Sequence, residues 1–155
     1  MAMIKERIWL VLLVFVGCLV AALVAHAQAD ADDTELIAVL GKIKDLNEKD
    51  PQLVRAEFKD QNGVVVEEEK LYVRWERSHK DQGRWIVLSA FCPHSKCKVV
   101  FSPEERIYRD PCYGSEYDLD GRVKKGPSKK PLPDYSSLVF EDEDSLKLRR
   151  EPTAE

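Results

Sequence analysis

Histidine is scarce in this chain of 155 residues, with only His26, His79 and His94 present. No serine, histidine and acid are spaced in a way that suggests a catalytic triad, so hydrolase chemistry has no support. A basic stripe is also missing, because lysines and arginines alternate with acids and the net charge is -4. Nucleic-acid binding is therefore excluded. We do not expect the chain to be an enzyme on its own.

One long apolar stretch is present, at residues 8–25, and it follows Lys5 and Arg7. Its length is just sufficient to span a bilayer as a helix. The small residues at 25, 27 and 29 also fit the cleavage pattern of a signal peptide. We therefore expect residues 1–29 to be a membrane anchor or a signal peptide. In both cases the basic flank predicts that the rest of the chain is exported, where disulfides are permitted.

The segment after this stretch carries an ambiguous pattern. Leu36, Val39, Leu40 and Ile43 fall at helical spacing, although Gly41 interrupts them. We interpret residues 30–40 as a tether with a short helix that ends near Gly41, followed by a strand-like entry to the next domain.

Residues 41–150 show many short β-branched and aromatic segments separated by turn signals. The signals lie at residues 60–63, 102–105, 120–121 and 141–144, and two of them contain the Asn-Gly or Asp-Gly pair that favours hairpins. Between them, Leu71, Val73 and Trp75 alternate with Tyr72, Arg74 and Glu76, which predicts a half-buried strand with one apolar face and one wet face. The pattern indicates an all-β domain, a small sandwich or barrel, with a loose tail at 151–155.

Three of the four cysteines lie in two short boxes. Residues 92–97 read Cys-Pro-His-Ser-Lys-Cys and residues 110–115 read Asp-Pro-Cys-Tyr-Gly-Ser. In the first box a thiolate and an imidazole lie two residues apart, near enough to serve one inorganic centre. A predicted hairpin joins the boxes, so both are expected at one end of a small sheet.

These boxes resemble those of the Rieske iron–sulfur family, whose first box is C-x-H-x-x-C and whose second is C-x-C-H-G-S. In such a centre one iron takes two cysteines and the other takes two histidines. The resemblance implies that Cys92 and His94 sit at ligand positions, and that Asp110 and Tyr113 replace the second cysteine and the second histidine. It also implies a disulfide between Cys97 and Cys112.

The resemblance extends to the surroundings of the boxes. Ser115 and Tyr117 lie where the family places hydroxyls that bond to the cluster sulfurs and to a ligand sulfur. Without a metal, Ser115 would cap its loop and Tyr117 would pack in the core, and both interpretations stay open. Gly126, Pro127 and Pro131 belong to a segment, residues 126–133, that resembles the family's proline-rich loop, which covers the cluster.

The resemblance implies a subunit of a membrane electron-transfer complex, of a quinol-oxidising or related kind, with other subunits and a cytochrome as partners. Because two ligand positions are changed, we expect that the chain holds no cofactor and acts structurally or in assembly. One alternative is an electron carrier with an altered [2Fe–2S] cluster or a single metal ion on Cys92, His94, Asp110 and Tyr113. A third hypothesis makes Cys92 a redox or ligand-binding thiol next to His94.

Overall fold

The computed structural model describes residues 35–46, 49–77 and 83–151, which belong to a unit that spans residues 34–155. No helix in these ranges is long and apolar enough to cross a membrane. The predicted anchor or signal peptide and His79 lie outside the described residues, as do residues 30–34 of the tether and 152–155 of the tail.

The regular structure of the described residues consists of strands and two single 3-10 turns, Ile43–Asp45 and Ser136–Leu138. The strands are β1 Leu36–Lys42, β2 Gln52–Lys59, β3 Val65–Arg77, β4 Gly83–Ser89, β5 Val100–Ser102, β6 Ile107–Arg109, β7 Glu116–Tyr117, β8 Val123–Lys125, β9 Val139–Asp142 and β10 Ser145–Arg150. They form an antiparallel six-stranded sheet in the order β4-β3-β2-β1-β10-β9 and a four-stranded sheet in the order β5-β6-β7-β8. The predicted all-β class is confirmed.

The four predicted hairpins are present, at β2-β3, β5-β6, β7-β8 and β9-β10. Two of the turns place a glycine at a positive φ, Gly63 or Gly121, and the other two place Arg106 or Glu143 there. Gly121 is the clearest case, because its φ is +76° and a Cβ there would lie 3.2 Å from Leu88 and Leu132. The carbonyl of Gly121 accepts a hydrogen bond from the N–H of Leu132 at 2.9 Å, which anchors the proline-rich loop to this hairpin.

The predicted short helix before Gly41 is wrong, because these residues form strand β1. Leu36, Ala38 and Leu40 are buried, whereas Val39 is 56% exposed. This alternation has the period of a strand rather than of a helix. The physical reason is long-range pairing, since β1 lies between β2 and β10 and hydrogen-bonds to both.

The prediction that one face of β3 is wet is also wrong at Tyr72 and Arg74, which are 6% exposed. The four-stranded sheet covers this face. The Tyr72 hydroxyl donates to the carbonyl of Val99 at 3.0 Å and accepts from the N–H of Phe101. Arg74 pairs with Asp120 at 2.9 Å. These contacts hold the small sheet, which follows the first box and contains the second between β6 and β7, against the large sheet.

Candidate functional site

Strand β4 leads into the first box, residues 92–97, which is closed by its own backbone. The N–H of Cys92 donates to the carbonyl of Cys97 at 2.9 Å, and the N–H of Lys96 donates to the carbonyl of Cys92 at 2.8 Å. Lys96 has a φ of +59°, which allows the chain to turn back. The box is therefore a compact loop with Cys92 at its inner end.

Strand β6 leads into the second box, residues 110–115, which is closed in the same way. The N–H of Asp110 donates to the carbonyl of Ser115 at 2.8 Å, and the N–H of Gly114 donates to the carbonyl of Asp110 at 2.9 Å. Gly114 has a φ of +75°. Asp110 thus occupies the backbone position in its loop that Cys92 occupies in the first loop.

The two loops are covalently linked. Cys97 and Cys112 form a disulfide, with their Cα atoms 6.4 Å apart and a sequence separation of 15 residues. The predicted pairing is therefore confirmed. Cys92 is the free cysteine of the described residues. Cys97 is half-buried and Cys112 is exposed, so the bond lies at the surface between the loops.

The carboxylate of Asp110 is almost completely buried, at 1% exposure. Its Oδ1 accepts a hydrogen bond from the N–H of Cys112 at 2.9 Å, whereas its Oδ2 is buried without a hydrogen-bond partner. Burial raises the pKa of Asp110, but the N–H of Cys112 and the nearby side chains of Ser95 and Cys92 outweigh it and leave the pKa below its usual value. A buried polar atom without a partner is rare and calls for an explanation.

Cys92 is fully buried in a hydrophobic cluster formed by residues of both sheets, for example Leu88 of β4 and Tyr108 of β6. Its Sγ lies 3.0 Å from the hydroxyl of Tyr117. Burial and, next to it, the hydrogen bond with Cys92 raise the pKa of Tyr117 to about 12. Tyr117 therefore keeps its proton at neutral pH and stays a hydrogen-bonding partner of the sulfur.

His94 and Tyr113 are both exposed, and Tyr113 exposes 65% of its surface. Their rings meet edge to face with centroids 5.6 Å apart. The structure thus brings together the residues at the two predicted histidine positions. In both loops the residue at the histidine position, His94 or Tyr113, faces solvent, whereas the first residue, Cys92 or Asp110, is buried.

The proline-rich loop covers the second box through one buried bond. The Oγ of Ser115 accepts a hydrogen bond from the N–H of Ser128 at 3.0 Å, and both residues are buried. Gly126, Pro127 and Pro131 are exposed. The predicted role of Ser115 toward a cluster sulfur stays a prediction, since its oxygen bonds to this loop.

An open cavity of about 320 Å³ lies between the proline-rich loop and the first box. It is lined by Pro93, His94, Pro127, Ser128, Lys129 and Lys130. The sequence reasoning missed Ser128 and the two lysines as site residues. Their place inside the segment that resembles the proline-rich loop could have identified them as site residues.

The comparisons with known proteins agree on one family. The model of the Rieske [2Fe-2S] domain matches residues 37–136. The ubiquinol-cytochrome c reductase iron-sulfur subunit of Cereibacter sphaeroides is 30% identical over 112 residues, which are 70% of this chain and 52% of that protein. The equivalent subunit of Rhodobacter capsulatus is 28% identical over 125 residues, 78% of this chain and 60% of that protein. The chain thus spans little more than half the length of these relatives.

A solved structure, the cyanobacterial plasma membrane Rieske protein of Synechocystis PCC 6803, is also similar, with 20% identity and a TM-score of 0.49. The match covers 72% of this chain and 97% of that one. The family model alone covers more than half of the chain, between β1 and the 3-10 turn after the proline-rich loop. The chain therefore belongs to the Rieske [2Fe-2S] domain family.

Proposed function

We propose that this chain is a Rieske-fold subunit of a membrane-associated electron-transfer complex, that it holds no Rieske-type [2Fe–2S] cluster, and that it acts structurally or in assembly. The observation that carries the proposal is the second loop. It keeps the backbone of a ligand loop but presents Asp110 and Tyr113 at the ligand positions.

The donor set does not fit a Rieske cluster. Such a cluster needs two thiolates and two imidazoles from the protein. The two boxes provide one free thiol, on Cys92, and one imidazole, on His94. One oxygen of Asp110 is already engaged by the N–H of Cys112, and the ring of Tyr113 packs against His94. Each iron would keep a single suitable protein ligand.

The loops are held together by interactions that require no metal. The disulfide joins them covalently, Ser115 binds the proline-rich loop, and Cys92 packs with Tyr117 in the core. A domain built in this way can keep its shape as a structural subunit. Two of the relatives are named as subunits of ubiquinol-cytochrome c reductase, which supports a complex of that class, with a cytochrome, as the partner.

A surface for such a partner is offered by exposed lysines around the boxes. Lys96, Lys98, Lys124, Lys129 and Lys130 form no ion pair within the described residues. Several other cations of the domain are paired, for example Arg150 with Glu67 and Glu69. Unpaired charges are available to a partner of opposite charge.

We further propose that residues 8–25 anchor the domain to the membrane, with the β domain on the exported side.

The docking role can be tested with paired charge reversals. Lys129→Glu with Lys130→Glu should reduce co-purification of the partner subunits from detergent-solubilised membranes. Lys44→Glu with Lys59→Glu, two exposed lysines elsewhere in the domain, is the matched control and should have no effect. Equal loss with both pairs, or no loss with the first, would argue against the lysine surface.

A second candidate function is an electron carrier with an altered centre. It is favoured by the unpartnered Oδ2 of Asp110, which is free to accept a metal, and by the contact of Tyr117 with Cys92. The hypothesis of a reactive Cys92 thiol is disfavoured, because the sulfur is fully buried and reactive thiols need exposure.

Metal analysis decides between the first two candidates. Protein purified anaerobically is assayed for iron, zinc and acid-labile sulfide, and a reduced sample is examined by electron paramagnetic resonance. We expect no sulfide and no anisotropic, low-average-g resonance of a histidine-ligated cluster. Stoichiometric iron and sulfide with that resonance would overturn the proposal and make electron transfer the function.

A further inference from the structure

The disulfide between Cys97 and Cys112 lies next to the buried carboxylate of Asp110. The ligand atoms of Cys97, Asp110 and Cys112 lie within 4.8 Å of one another. Two of these atoms are the bonded sulfurs, and the third ligand group is the carboxylate of Asp110. The Oδ1 of Asp110 accepts from Cys112, and the side chains of Ser95 and Cys92 help to lower the pKa of the carboxyl, but its buried Oδ2 has no hydrogen-bond partner within the described residues.

We propose that the disulfide masks a metal site: when it is reduced, Cys97, Cys112 and Asp110 bind a divalent transition metal of the Zn²⁺ type. This inference goes beyond the proposed function, because it concerns the reduced chain and residues that a Rieske cluster does not use as a set.

The geometry suits a tetrahedral ion. With zinc–sulfur bonds of about 2.3 Å and zinc–oxygen bonds of about 2.0 to 2.2 Å, the ligand atoms of such an ion lie roughly 3.5 to 3.8 Å apart. The sulfurs must separate after reduction, and each loop is closed by backbone hydrogen bonds of its own that do not involve the disulfide. Two thiolates select zinc or a similarly soft ion over magnesium or calcium.

The carboxylate of Asp110 is oriented as a third ligand requires. Its Oδ1 is held by the N–H of Cys112, which belongs to one of the two cysteine ligands. This bond orients the carboxylate and leaves Oδ2 without a competing partner. Hydrogen bonds of this kind commonly fix the ligands of metal sites. Because Cys112 is exposed, the fourth position opens to solvent and can take water.

The chemical step is a thiol–disulfide exchange. A dithiol reductant gives two electrons and two protons to the Cys97–Cys112 bond, which opens to two thiols while the reductant closes to its own disulfide. Metal binding then displaces the two thiol protons into solvent. The exposed Cys112 gives the reductant access to the bond. The metal thus replaces the disulfide as the link between the two loops.

The test uses the full chain, reduced and freed of reductant under anaerobic conditions, and titrated with Co²⁺ as a coloured substitute for Zn²⁺. We expect thiolate-to-cobalt absorption that saturates at one ion per chain, is displaced by Zn²⁺, and is absent from the oxidised protein. Saturating Zn²⁺ should raise the unfolding temperature of the reduced protein and leave that of the oxidised protein unchanged. Absence of the absorption in the reduced protein would overturn the proposal.

Two carboxylate substitutions test whether Asp110 is a ligand of the ion. Asp110→Asn should weaken Co²⁺ binding by at least about tenfold, since loss of a ligand exceeds the tenfold to hundredfold effect of its supporting partners. Glu104→Gln, an exposed carboxylate in the β5-β6 turn, is the matched control and should bind as the wild type does. Equal binding by Asp110→Asn contradicts the site.

Two cysteine variants give a check that does not depend on Asp110. Cys97→Ser should abolish the thiolate-to-cobalt absorption at one equivalent of metal. If Cys92→Ser abolishes it while Cys97→Ser retains it, the ion sits at the predicted cluster position and the proposal is wrong. Circular dichroism of each reduced variant verifies that the β domain is folded before the titration.

Discussion

The first loop begins with a buried cysteine and the second with a buried aspartate, yet the same two backbone hydrogen bonds close both loops. In each, the leading N–H bonds to the carbonyl five residues on, and the residue four positions on has a positive φ. Cys92 and Asp110 are 0% and 1% exposed. The shape of a ligand loop is therefore set by its backbone and by one left-handed residue, so the side chain that would hold iron can change without a change of shape.

The strongest test of this comparison gives the second loop the same ligand residues as the first. Asp110→Cys together with Tyr113→His restores two thiolates and two imidazoles without altering loop length. Because the backbone positions of the loops already correspond, we expect the double variant to take up a [2Fe–2S] cluster on anaerobic reconstitution with iron and sulfide. The measurement is visible absorption and electron paramagnetic resonance of the reduced protein.

The two single variants are the controls for this experiment. Each leaves one iron without its full set of protein ligands, so neither should give the resonance of a histidine-ligated cluster. A double variant that stays colourless while remaining folded would mean that the loops differ in more than their ligands. A coloured single variant would mean that aspartate or tyrosine already serves as a ligand.

The next largest effect concerns the bond that joins the loops. Removing it with Cys97→Ser and Cys112→Ser should lower the free energy of unfolding by about 3 kcal/mol, the chain-entropy estimate for a loop of about 15 residues. The measurement is urea denaturation in the presence of a chelator. Reduced wild-type protein is the matched control and should lose a similar amount. A loss below about 1 kcal/mol would show that non-covalent contacts alone hold the loops.

The serines of the two loops provide a sharper contrast. The Oγ of Ser115 satisfies the buried N–H of Ser128, so Ser115→Ala should lower the free energy of unfolding by about 1 to 3 kcal/mol, the penalty for leaving a buried donor unpaired. Ser95 accepts from the N–H of Cys97 and helps to lower the pKa of Asp110, but its position is half-buried, so water can take the place of its hydroxyl. Ser95→Ala should therefore have the smaller effect in urea denaturation, and the reverse order would contradict the burial argument.

The sequence predicted what is encoded locally or carried by spacing. Asn62-Gly63 and Asp120-Gly121 mark their turns because the glycines accept a positive φ, and the resemblance of the boxes to the Rieske family implied the disulfide between Cys97 and Cys112. Strand β1 was missed because its identity depends on two neighbours that are distant in the chain. The burial of Arg74 depends on a second sheet that covers it. The unpartnered oxygen of Asp110 is likewise visible only in three dimensions.

The smallest effect distinguishes two buried tyrosines of the small sheet, Tyr117 and Tyr108, both of which are 0% exposed. The hydroxyl of Tyr117 bonds to Cys92, whereas that of Tyr108 is buried without a partner. Burial raises the pKa of both, so both hydroxyls are neutral at pH 7.

Tyr117→Phe removes a hydrogen bond and should lower the free energy of unfolding by about 0.5 to 1 kcal/mol, at the weak end of the usual range because sulfur is the partner. Tyr108→Phe removes a desolvated group that gains nothing in the fold, so it should be neutral or slightly stabilising. Urea denaturation of the two variants under identical conditions checks the order. If Tyr108→Phe destabilises more than Tyr117→Phe, the hydroxyl of Tyr108 has a partner such as a buried water, and the contact between Tyr117 and Cys92 contributes little to the first loop.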